Sequence, residues 1–322
     1  MLHAGFDVGG TKIAVGVVDD TSMAIVARRS ASFPTGAPYQ ETVALMAAMI
    51  TDMAAELQIP SDKLSSIGVA VPGSIDPGCE RVLHAHNLQF HDVPLKAAMQ
   101  AHFPNVPVYL ANDANAAALA ELHAGAFIGI KTAVLLTLGT GIGGGIILNG
   151  RMFNGGMGNG VELGHMVLAH GGPVCTCGTR GCLETLCTAT WLVQQGRRSI
   201  IDYPKALIYT EAGGDLNRVT AKLVLDCAQA GDAIARDIFD RYVDQLGSAI
   251  VSCIHMLDPE IIALGGGVSR AGEFLFEPVR ENVRKKCFYE TYASIIPARL
   301  GNDAGIIGAA MLARNEGQCL RS

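Results

Sequence analysis

Three cysteines and one histidine are spaced to bind a metal ion. Cys175, Cys177 and Cys182 lie within eight residues, and His165 precedes the first of them by ten positions. One imidazole and three thiolates complete a tetrahedral ligand set and leave no position for a reactive water, so the pattern predicts a structural Zn²⁺. The alternatives are a redox pair, for which C-x-x-C spacing is more typical, and unconnected core cysteines, which the polar, glycine-rich segment disfavours.

Two carboxylates bracket this segment. Glu162 lies three residues before His165, and Glu184 lies two residues after Cys182. A metal-bound loop would fix both carboxylates, and fixed carboxylates can accept hydrogen bonds from the neighbouring hydroxyl groups of a sugar. The alternative is a pair of solvated loop acids, and the spacing alone does not decide between the two.

Two glycine-rich turns follow apolar runs and are typical of phosphate binding. The first reads Asp7-Val-Gly-Gly-Thr-Lys12. Its glycines let backbone N–H groups approach phosphate oxygens, Lys12 adds a positive charge, and Asp7 can hold Mg²⁺ directly or through water. The Walker spacing G-x-x-x-x-G-K-[ST] is not present at this turn. An ordinary hairpin turn is the alternative.

The second turn spans Gly139-Thr-Gly-Ile-Gly-Gly144 and matches G-x-G-x-x-G literally. Glu162 follows at about the distance of the acidic residue in a dinucleotide-binding fingerprint. That fingerprint opens a helix, whereas the residues after Gly144 are apolar and β-branched and predict a strand. The pattern therefore favours a second phosphate loop over a nicotinamide site.

Asn112-Asp113 joins an apolar strand to an alanine-rich helix. A carboxylate at this junction can accept the proton of a reacting hydroxyl group. The alternative is that Asp113 caps the helix, which is common for Asp at a helix start. Taken alone, the pattern favours the cap.

The elements that position these residues alternate between strands and helices. Hairpin patterns at 5–18 and 133–148 are each followed later by a buried strand that ends in a glycine turn, at 66–76 and 260–269. This repeated order predicts an α/β fold built from two related domains. We expect the first domain to span 1–115, with a helix over about 303–322 returning to it, and the second to span 116–302.

Composition limits the functional class. The 322 residues include 24 Lys+Arg and 30 Asp+Glu, which gives a net charge of −6, and 49% of them are apolar. The acidic balance, with no basic face, argues against a nucleic-acid partner. The N-terminus does not read as a signal peptide, and the longest apolar stretch is too short and too rich in glycine for a membrane helix. We therefore expect a soluble, cytoplasmic protein with no membrane partner.

These motifs together resemble the ROK family of sugar kinases, in the actin/hexokinase-like ATPase superfamily. The most specific feature is E-x-G-H at 162–165 combined with C-x-C-G-x-x-G-C-x-E at 175–184. The resemblance runs through almost the whole chain, and its other segments are Asp7–Lys12, Val71–Gly73, Asn87–Leu88, Asn112–Asn115, Leu138–Gly145, Leu264–Gly267 and Asp303–Gly305. It implies an actin/hexokinase-like fold, which is a duplicated RNase H-like α/β architecture with an active-site cleft between two domains.

The resemblance also implies a role for each motif and a homodimeric state. ATP and Mg²⁺ would be bound by Asp7, Gly9, Gly10, Thr11, Lys12, Gly139, Thr140, Gly141, Gly143, Gly144 and Gly266. The sugar would be bound by Gly73, Ser74, Asn87, Asn112, Asp113, Glu162, His165 and Glu184, with Asp113 as general base. The structural Zn²⁺ would order the sugar pocket through His165, Cys175, Cys177 and Cys182.

The expected reaction is transfer of the γ-phosphate of Mg-ATP to the 6-hydroxyl of a hexose. The E-L-G-H-M and G-C-L-E segments are most similar to the glucokinase subgroup, so glucose is the expected sugar. N-acetylglucosamine or N-acetylmannosamine is the first alternative, followed by fructose, mannose and allose, because the loops that distinguish these sugars are not identified by the sequence. A non-catalytic sugar sensor is a remote alternative, since Asp7, Lys12 and Asp113 are all present.

Overall fold

A computed structural model describes residues 1–315 of the chain. Its strands are β1 (Leu2–Val8), β2 (Lys12–Asp19), β3 (Ile25–Ser32), β4 (Ser66–Val71), β5 (Ser74–Ile75), β6 (Val82–Ala85), β7 (Phe90–Val93), β8 (Val108–Asn112), β9 (Ala133–Leu138), β10 (Ile142–Leu148), β11 (Arg151–Met152), β12 (Ile261–Gly265) and β13 (Ser294–Pro297). Its α-helices are α1 (Tyr39–Glu56), α2 (Leu95–His102), α3 (Asp113–Ala124), α4 (Ala189–Asp202), α5 (Leu207–Ala212), α6 (Ala221–Gln229), α7 (Ala233–Leu257), α8 (Glu273–Lys286) and α9 (Ala304–Ala310).

The first large sheet has the strand order β3-β2-β1-β4-β8. β1 pairs antiparallel with β2 and parallel with β4, which in turn pairs parallel with β8. In this register Asp7 lies beside Ala70, and Ala70 lies beside Ala111. The carboxyl ends of β1, β4 and β8 therefore meet at one edge of the sheet. All six residues of β4 are buried, as its uninterrupted run of mostly apolar residues predicts.

The second large sheet has the order β11-β10-β9-β12-β13 and repeats the first sheet strand for strand. β12 pairs parallel with both β9 and β13, just as β4 pairs parallel with β1 and β8. The α/β class and the repeated order of hairpin and buried strand, both predicted from the sequence, are confirmed. A smaller antiparallel sheet, β5-β6-β7, follows β4 along the chain.

Helix boundaries follow the expected capping residues. The longest helix described, α7, begins after Asp232, whose side chain caps it by accepting the N–H of Ala235. The described part of the helix expected over about 303–322 is α9 followed by a 3₁₀ turn over Met311–Asn315. Within residues 1–315, no helix is both long and apolar enough to cross a membrane.

Small residues bring α9 close to α3 and to the first sheet. Gly308 lies so near the carbonyl oxygen of Ala116 that an added Cβ would overlap it. At the start of α9, a Cβ on Gly305 would lie 2.5 Å from Cγ of Asp7. The small-residue contacts of α9 therefore determine how much room the Asp7 carboxyl group has.

Contacts between Cα atoms group the chain into two compact units. The first comprises residues 1–131, 145–161 and the described chain from residue 299 on, and the second comprises residues 132–144 and 162–298. The domain boundaries predicted from the sequence, after residues 115 and 302, stay a prediction. Residues 316–322 of the predicted returning segment lie outside the described residues.

Candidate active site

The two units divide the candidate residues between them. The first unit contains Asp7, Gly9, Gly10, Thr11, Lys12, Gly73, Ser74, Asn87, Asn112 and Asp113. The second unit contains Gly139, Thr140, Gly141, Gly143, Gly144, Glu162, His165, Cys175, Cys177, Cys182, Glu184 and Gly266. Each group is described within its own unit.

Three candidate residues of the first unit lie at one edge of its large sheet. Asp7 is near the end of β1, Asn112 ends β8, and Asp113 begins α3. Only β4 lies between β1 and β8, so the backbones at Asp7 and Asn112 are about two strand spacings, or roughly 10 Å, apart. This carboxyl edge is where open α/β sheets bind their ligands.

Asn112, rather than Asp113, caps helix α3. Its Oδ1 accepts the N–H groups of Ala114 at 2.9 Å and Asn115 at 3.3 Å, and its Nδ2 donates to the carbonyl oxygen of Gly73 at 3.1 Å. The alternative that Asp113 is the N-cap is therefore wrong. Asp113 lies in the first helical turn, where its Oδ1 accepts the N–H of Ala114 at 2.8 Å. Since the helix is capped without it, Asp113 stays a candidate base.

Burial raises the pKa of both aspartates at this edge. Loss of solvation, and then the charge of Asp113, raise the pKa of Asp7 to about 6, and the charge of Lys12 opposes them. Burial also raises the pKa of Asp113, against backbone hydrogen bonds that include the one from Ala114. A carboxylate with a raised pKa is a stronger proton acceptor, which is what general-base catalysis requires.

The first glycine turn packs against Asn87. The N–H of Gly9 donates to the carbonyl oxygen of Lys12 at 2.8 Å and closes the turn. A Cβ on Gly10 would lie 2.7 Å from the carbonyl oxygen of Asn87, so only glycine fits this contact. The side chains of Thr11 and Lys12 are exposed. One residue predicted to bind sugar therefore touches the turn predicted to bind phosphate.

Gly73 and Ser74 connect β4 to the small sheet. Gly73 has a φ of +90° and lies against the carbonyl oxygen of His84, so a side chain there would meet both strain and overlap. Ser74 pairs with His84 in the ladder between β5 and β6, and both residues are exposed. The bond from Asn112 to Gly73 joins this turn to the end of β8.

The second glycine turn, between β9 and β10, is shaped by internal hydrogen bonds. The N–H of Gly139 donates to the carbonyl oxygen of Gly141 at 3.0 Å, and the N–H of Gly143 donates to Oγ1 of Thr137 at 3.2 Å. β10 then continues as a strand to Leu148. The dinucleotide-binding alternative therefore lacks the helix it requires, as the sequence predicted.

Two further contacts support this turn from outside. Oγ1 of Thr190, in the first turn of α4, donates to the carbonyl oxygen of Thr140 at 2.9 Å. Gly266, with a φ of +85°, packs against the backbone of Leu138 closely enough to exclude a Cβ. The turn after β12 and the turn after β9 are thus in contact, as expected from the parallel pairing of these strands.

The Cys₃His residues form one compact cluster. One donor atom from each of His165, Cys175, Cys177 and Cys182 lies within 4.8 Å of the others. Sγ of Cys177 is 3.7 Å from Sγ of Cys182, and Sγ of Cys175 is 3.5 Å from Nδ1 of His165. Ligands at normal zinc distances in a tetrahedron are about 3.5–3.8 Å apart, so the donors fit Zn²⁺.

The thiols of the cluster are also chemically suited to bind a metal ion. All three cysteines are free thiols. A hydrogen bond from the backbone N–H of Thr179 is the main cause that lowers the pKa of Cys177 to about 7. Since zinc binds thiolates, the lowered pKa of Cys177 favours metal binding at neutral pH. Burial raises the pKa of the neighbouring Cys182 to about 12, so a bound Zn²⁺ would have to displace the proton of that thiol.

Glu162 directly precedes the 3₁₀ turn Leu163–His165, and Glu184 lies within the 3₁₀ turn Leu183–Thr185. The two turns contact each other. Glu162 is exposed, whereas Glu184 is half-buried. Oε2 of Glu184 accepts the N–H of Ile142 at 3.1 Å. Glu184 is therefore not a solvated loop acid.

Sequence reasoning missed residues that support the two glycine turns. Thr137 and Thr190 bind the second turn, and Gly305 makes room for the carboxyl group of Asp7. The Asp303–Gly305 segment belongs to the family resemblance and was a usable signal for Gly305. No local pattern marks the two threonines, because their hydrogen bonds depend on how separate segments pack.

Known proteins of one family match this chain over nearly its full length. A family model described as the ROK family matches residues 3–316. The chain is 39% identical over 313 residues to the glucokinase of Thermotoga maritima, covering 96% of each chain. A solved ROK family glucokinase from Streptomyces griseus, in complex with glucose and AMPPNP, superimposes with a TM-score of 0.82 at 31% identity, covering 98% of this chain and 99% of that one. For the ROK hexokinase of Thermus thermophilus the TM-score is 0.83 at 32% identity, with 98% and 100% covered.

Proposed function

The chain belongs to the ROK family, and on that premise we propose that it is an ATP-dependent glucose kinase. It transfers the γ-phosphate of Mg-ATP to the 6-hydroxyl group of glucose. The family and the actin/hexokinase-like fold expected from the sequence are both confirmed. Nearly full-length similarity to glucokinases supports glucose as the acceptor.

Asp113 is the general base of the proposed reaction. The observation that carries this assignment is a buried carboxylate with a raised pKa, at the carboxyl edge of the first sheet, that the helix does not need as its cap. As O6 of glucose attacks the γ-phosphorus in line, its proton moves to the Asp113 carboxylate and ADP leaves. Phosphoryl transfer depends mainly on positioning and on stabilisation of charge, which the surrounding turns supply.

The nucleotide is bound by both glycine turns in this proposal. Lys12 contributes a positive charge to the phosphates, and Asp7 would hold Mg²⁺ directly or through water. Mg²⁺, when bound, neutralises charge on the phosphate oxygens. The remaining phosphate contacts come from the turn backbones, and Gly266 lies toward the adenosine. The proposed nucleotide-binding residues are Asp7, Gly9, Gly10, Thr11, Lys12, Gly139, Thr140, Gly141, Gly143, Gly144 and Gly266.

In this proposal, sugar hydroxyl groups are bound by polar side chains and by the turn at Gly73. Where Nδ1 of His165 binds the structural zinc, Nε2 is the ring nitrogen that faces a sugar hydroxyl. His165 and the three cysteines would fill all four coordination positions of the structural Zn²⁺ and would leave none for a reactive water. The proposed sugar-binding residues are Gly73, Ser74, Asn87, Asn112, Asp113, Glu162, His165 and Glu184.

We also propose an oligomeric state and a cellular compartment for the enzyme. The family resemblance supports a homodimer, which light scattering after size-exclusion chromatography would measure. The use of Mg-ATP as phosphoryl donor supports a cytoplasmic enzyme. Small-molecule substrates account for every candidate site residue, so no nucleic-acid partner is proposed.

The experiment that tests this function is an ADP-release assay with Mg-ATP and six sugars. Glucose, N-acetylglucosamine, N-acetylmannosamine, mannose, fructose and allose are compared by kcat/KM, with a reaction without sugar as the control. We expect glucose to exceed the other sugars by at least tenfold. A higher value for an N-acetylhexosamine would correct the substrate and keep the kinase, and folded protein inactive on all six sugars would contradict the kinase.

A further inference from the structure

The peptide group of Ile142, in the second glycine turn, is held from both sides. On one side its N–H donates to Oε2 of Glu184 at 3.1 Å. On the other side its carbonyl oxygen lies against Gly164, so closely that a Cβ there would overlap it. Two residues further along, Gly144 packs closely against the side chain of Leu163. A Cβ added to Gly144 would lie 2.6 Å from Cδ1 of Leu163.

The two segments that contact Ile142 are 3₁₀ turns that contain or directly follow a residue of the metal-ligand cluster. Leu163–His165 contains His165, and Leu183–Thr185 directly follows Cys182. The N–H of Leu183 donates to the carbonyl oxygen of Met166 at 2.9 Å, which joins the two turns. The metal-ligand cluster, these turns and the glycine turn therefore form one continuous assembly within the second unit.

Glu184 fits this position only because its neighbour in the turn is glycine. A Cβ on Gly141 would lie 2.5 Å from Oε2 of Glu184. With the bond from Ile142, three N–H groups of the turn are used to fix its own shape, namely those of Gly139, Ile142 and Gly143. The tip of the turn, Thr140-Gly141, is thus presented by a backbone that is already ordered.

The charge of Glu184 is unfavourable for phosphate binding at the second glycine turn. A negative charge beside a turn that binds phosphate would repel the ligand, so any help that Glu184 gives to phosphate binding must come from its hydrogen bond to Ile142. We propose that Glu184 is a positioning residue for the nucleotide phosphates: it holds the second glycine turn in its binding shape, in addition to any contact with the sugar. This inference rests on the proposed kinase function and adds a link between the metal-bearing turns and ATP.

The test is the affinity of the full chain for Mg²⁺ and AMPPNP in the absence of any sugar, measured by calorimetry. Glu184→Ala removes the acceptor for Ile142, and we expect the affinity to fall about tenfold, the usual cost of a hydrogen bond to a charged group. Glu184→Gln keeps an acceptor oxygen and removes the charge, so its affinity should equal or exceed that of the wild type. Glucose affinity is measured on the same samples.

Loss of the negative charge should raise the affinity of Glu184→Ala for AMPPNP, whereas loss of the hydrogen bond should lower it. The measured affinity therefore distinguishes the two effects. If Glu184 acts on nucleotide only through its charge, both variants bind AMPPNP more tightly, and the inference is overturned. Unchanged AMPPNP affinity in Glu184→Ala, with glucose affinity lost, would reduce Glu184 to a sugar contact and also overturn it. Glu162→Gln is the matched control, since we expect it to lower glucose affinity and leave AMPPNP affinity unchanged. Failure of the wild type to bind AMPPNP would contradict the proposed function itself.

Discussion

The two glycine turns occupy equivalent places in the two sheets but are built from different chemistry. The turn between β1 and β2 is bounded by Asp7 and Lys12, two charged side chains. The turn between β9 and β10 has Thr140 as its polar residue and no charged residue of its own. The same strand order therefore carries two different turns, one bounded by charged side chains and one without charged residues.

The contacts that support the two turns also differ in kind. The first turn packs backbone to backbone, with Gly10 against Asn87, and its acidic neighbour Asp7 lies against Gly305. The second turn is held by side chains of other segments, through Glu184 and Thr190. Packing that excludes a Cβ tolerates almost no substitution, whereas a side-chain hydrogen bond can be removed singly. Substitutions around the second turn can therefore remove a supporting hydrogen bond without changing the residues of the turn itself.

The largest effect is expected at Asp113, the proposed general base, which begins α3 at the edge of the first sheet. Asp113→Asn should lower kcat by about 10²–10⁴-fold, because a positioned general base contributes about that much. Glucose affinity should stay near the wild-type value, since the amide preserves shape and hydrogen bonding. Steady-state kinetics and calorimetry measure the two quantities. A variant that keeps more than about a tenth of the wild-type kcat would show that another group accepts the proton.

A paired substitution sharpens the contrast between a charged and an uncharged turn. Lys12→Met should lower kcat/KM for ATP by about 10–100-fold, which corresponds to the loss of one charge-assisted hydrogen bond. Thr140→Val should lower it less than about threefold, because the backbone of that turn is unchanged. The ADP-release assay at saturating glucose measures both. An equal decrease of kcat/KM for ATP in the two variants would contradict the proposed contrast between a charged and an uncharged turn.

How much the sequence revealed depends on how local each contact is. The zinc ligands were predicted because three of the four lie within one short segment of recognisable spacing. The α/β repeat was predicted because strand and turn patterns are local. The bond between Glu184 and Ile142 joins residues 42 positions apart, and the contact of Gly305 with Asp7 joins the two ends of the chain. Contacts of this kind depend on packing, which spacing does not encode.

The error at the start of α3 has a different origin. Asn112 and Asp113 are both good N-cap residues, and the sequence does not say where the strand ends. The ladder with β4 ends at Asn112 and the helix begins at Asp113, one residue earlier than a cap at Asp113 would require. A difference of one residue thus decides whether Asn112 or Asp113 caps the helix.

The smallest expected effect is on stability and concerns the acidic side of the first turn. Asp7 has a pKa of about 6 against an ordinary value of 3.8, so the folded protein holds a proton more tightly than the unfolded chain. Stability from this group is then present at low pH and is lost as the pH rises through about 6. The full shift corresponds to about 3 kcal/mol, and because Asp7 is partly exposed we expect Asp7→Asn to stabilise the protein by about 1–2 kcal/mol at pH 7.5.

Denaturant unfolding without Mg²⁺ or nucleotide measures this gain, and its pH dependence gives the sign. The advantage of Asp7→Asn should shrink by about half at pH 5, where Asp7 of the folded wild type is already mostly protonated. Asp62→Asn, at an exposed position, should change the free energy of unfolding by less than about 0.5 kcal/mol at either pH. An advantage for Asp7→Asn that grows toward acid would mean that the carboxylate is stabilised rather than strained in the folded state. The expected result instead means that the fold keeps Asp7 ionised at a cost in stability, as a residue retained for binding Mg-ATP would be.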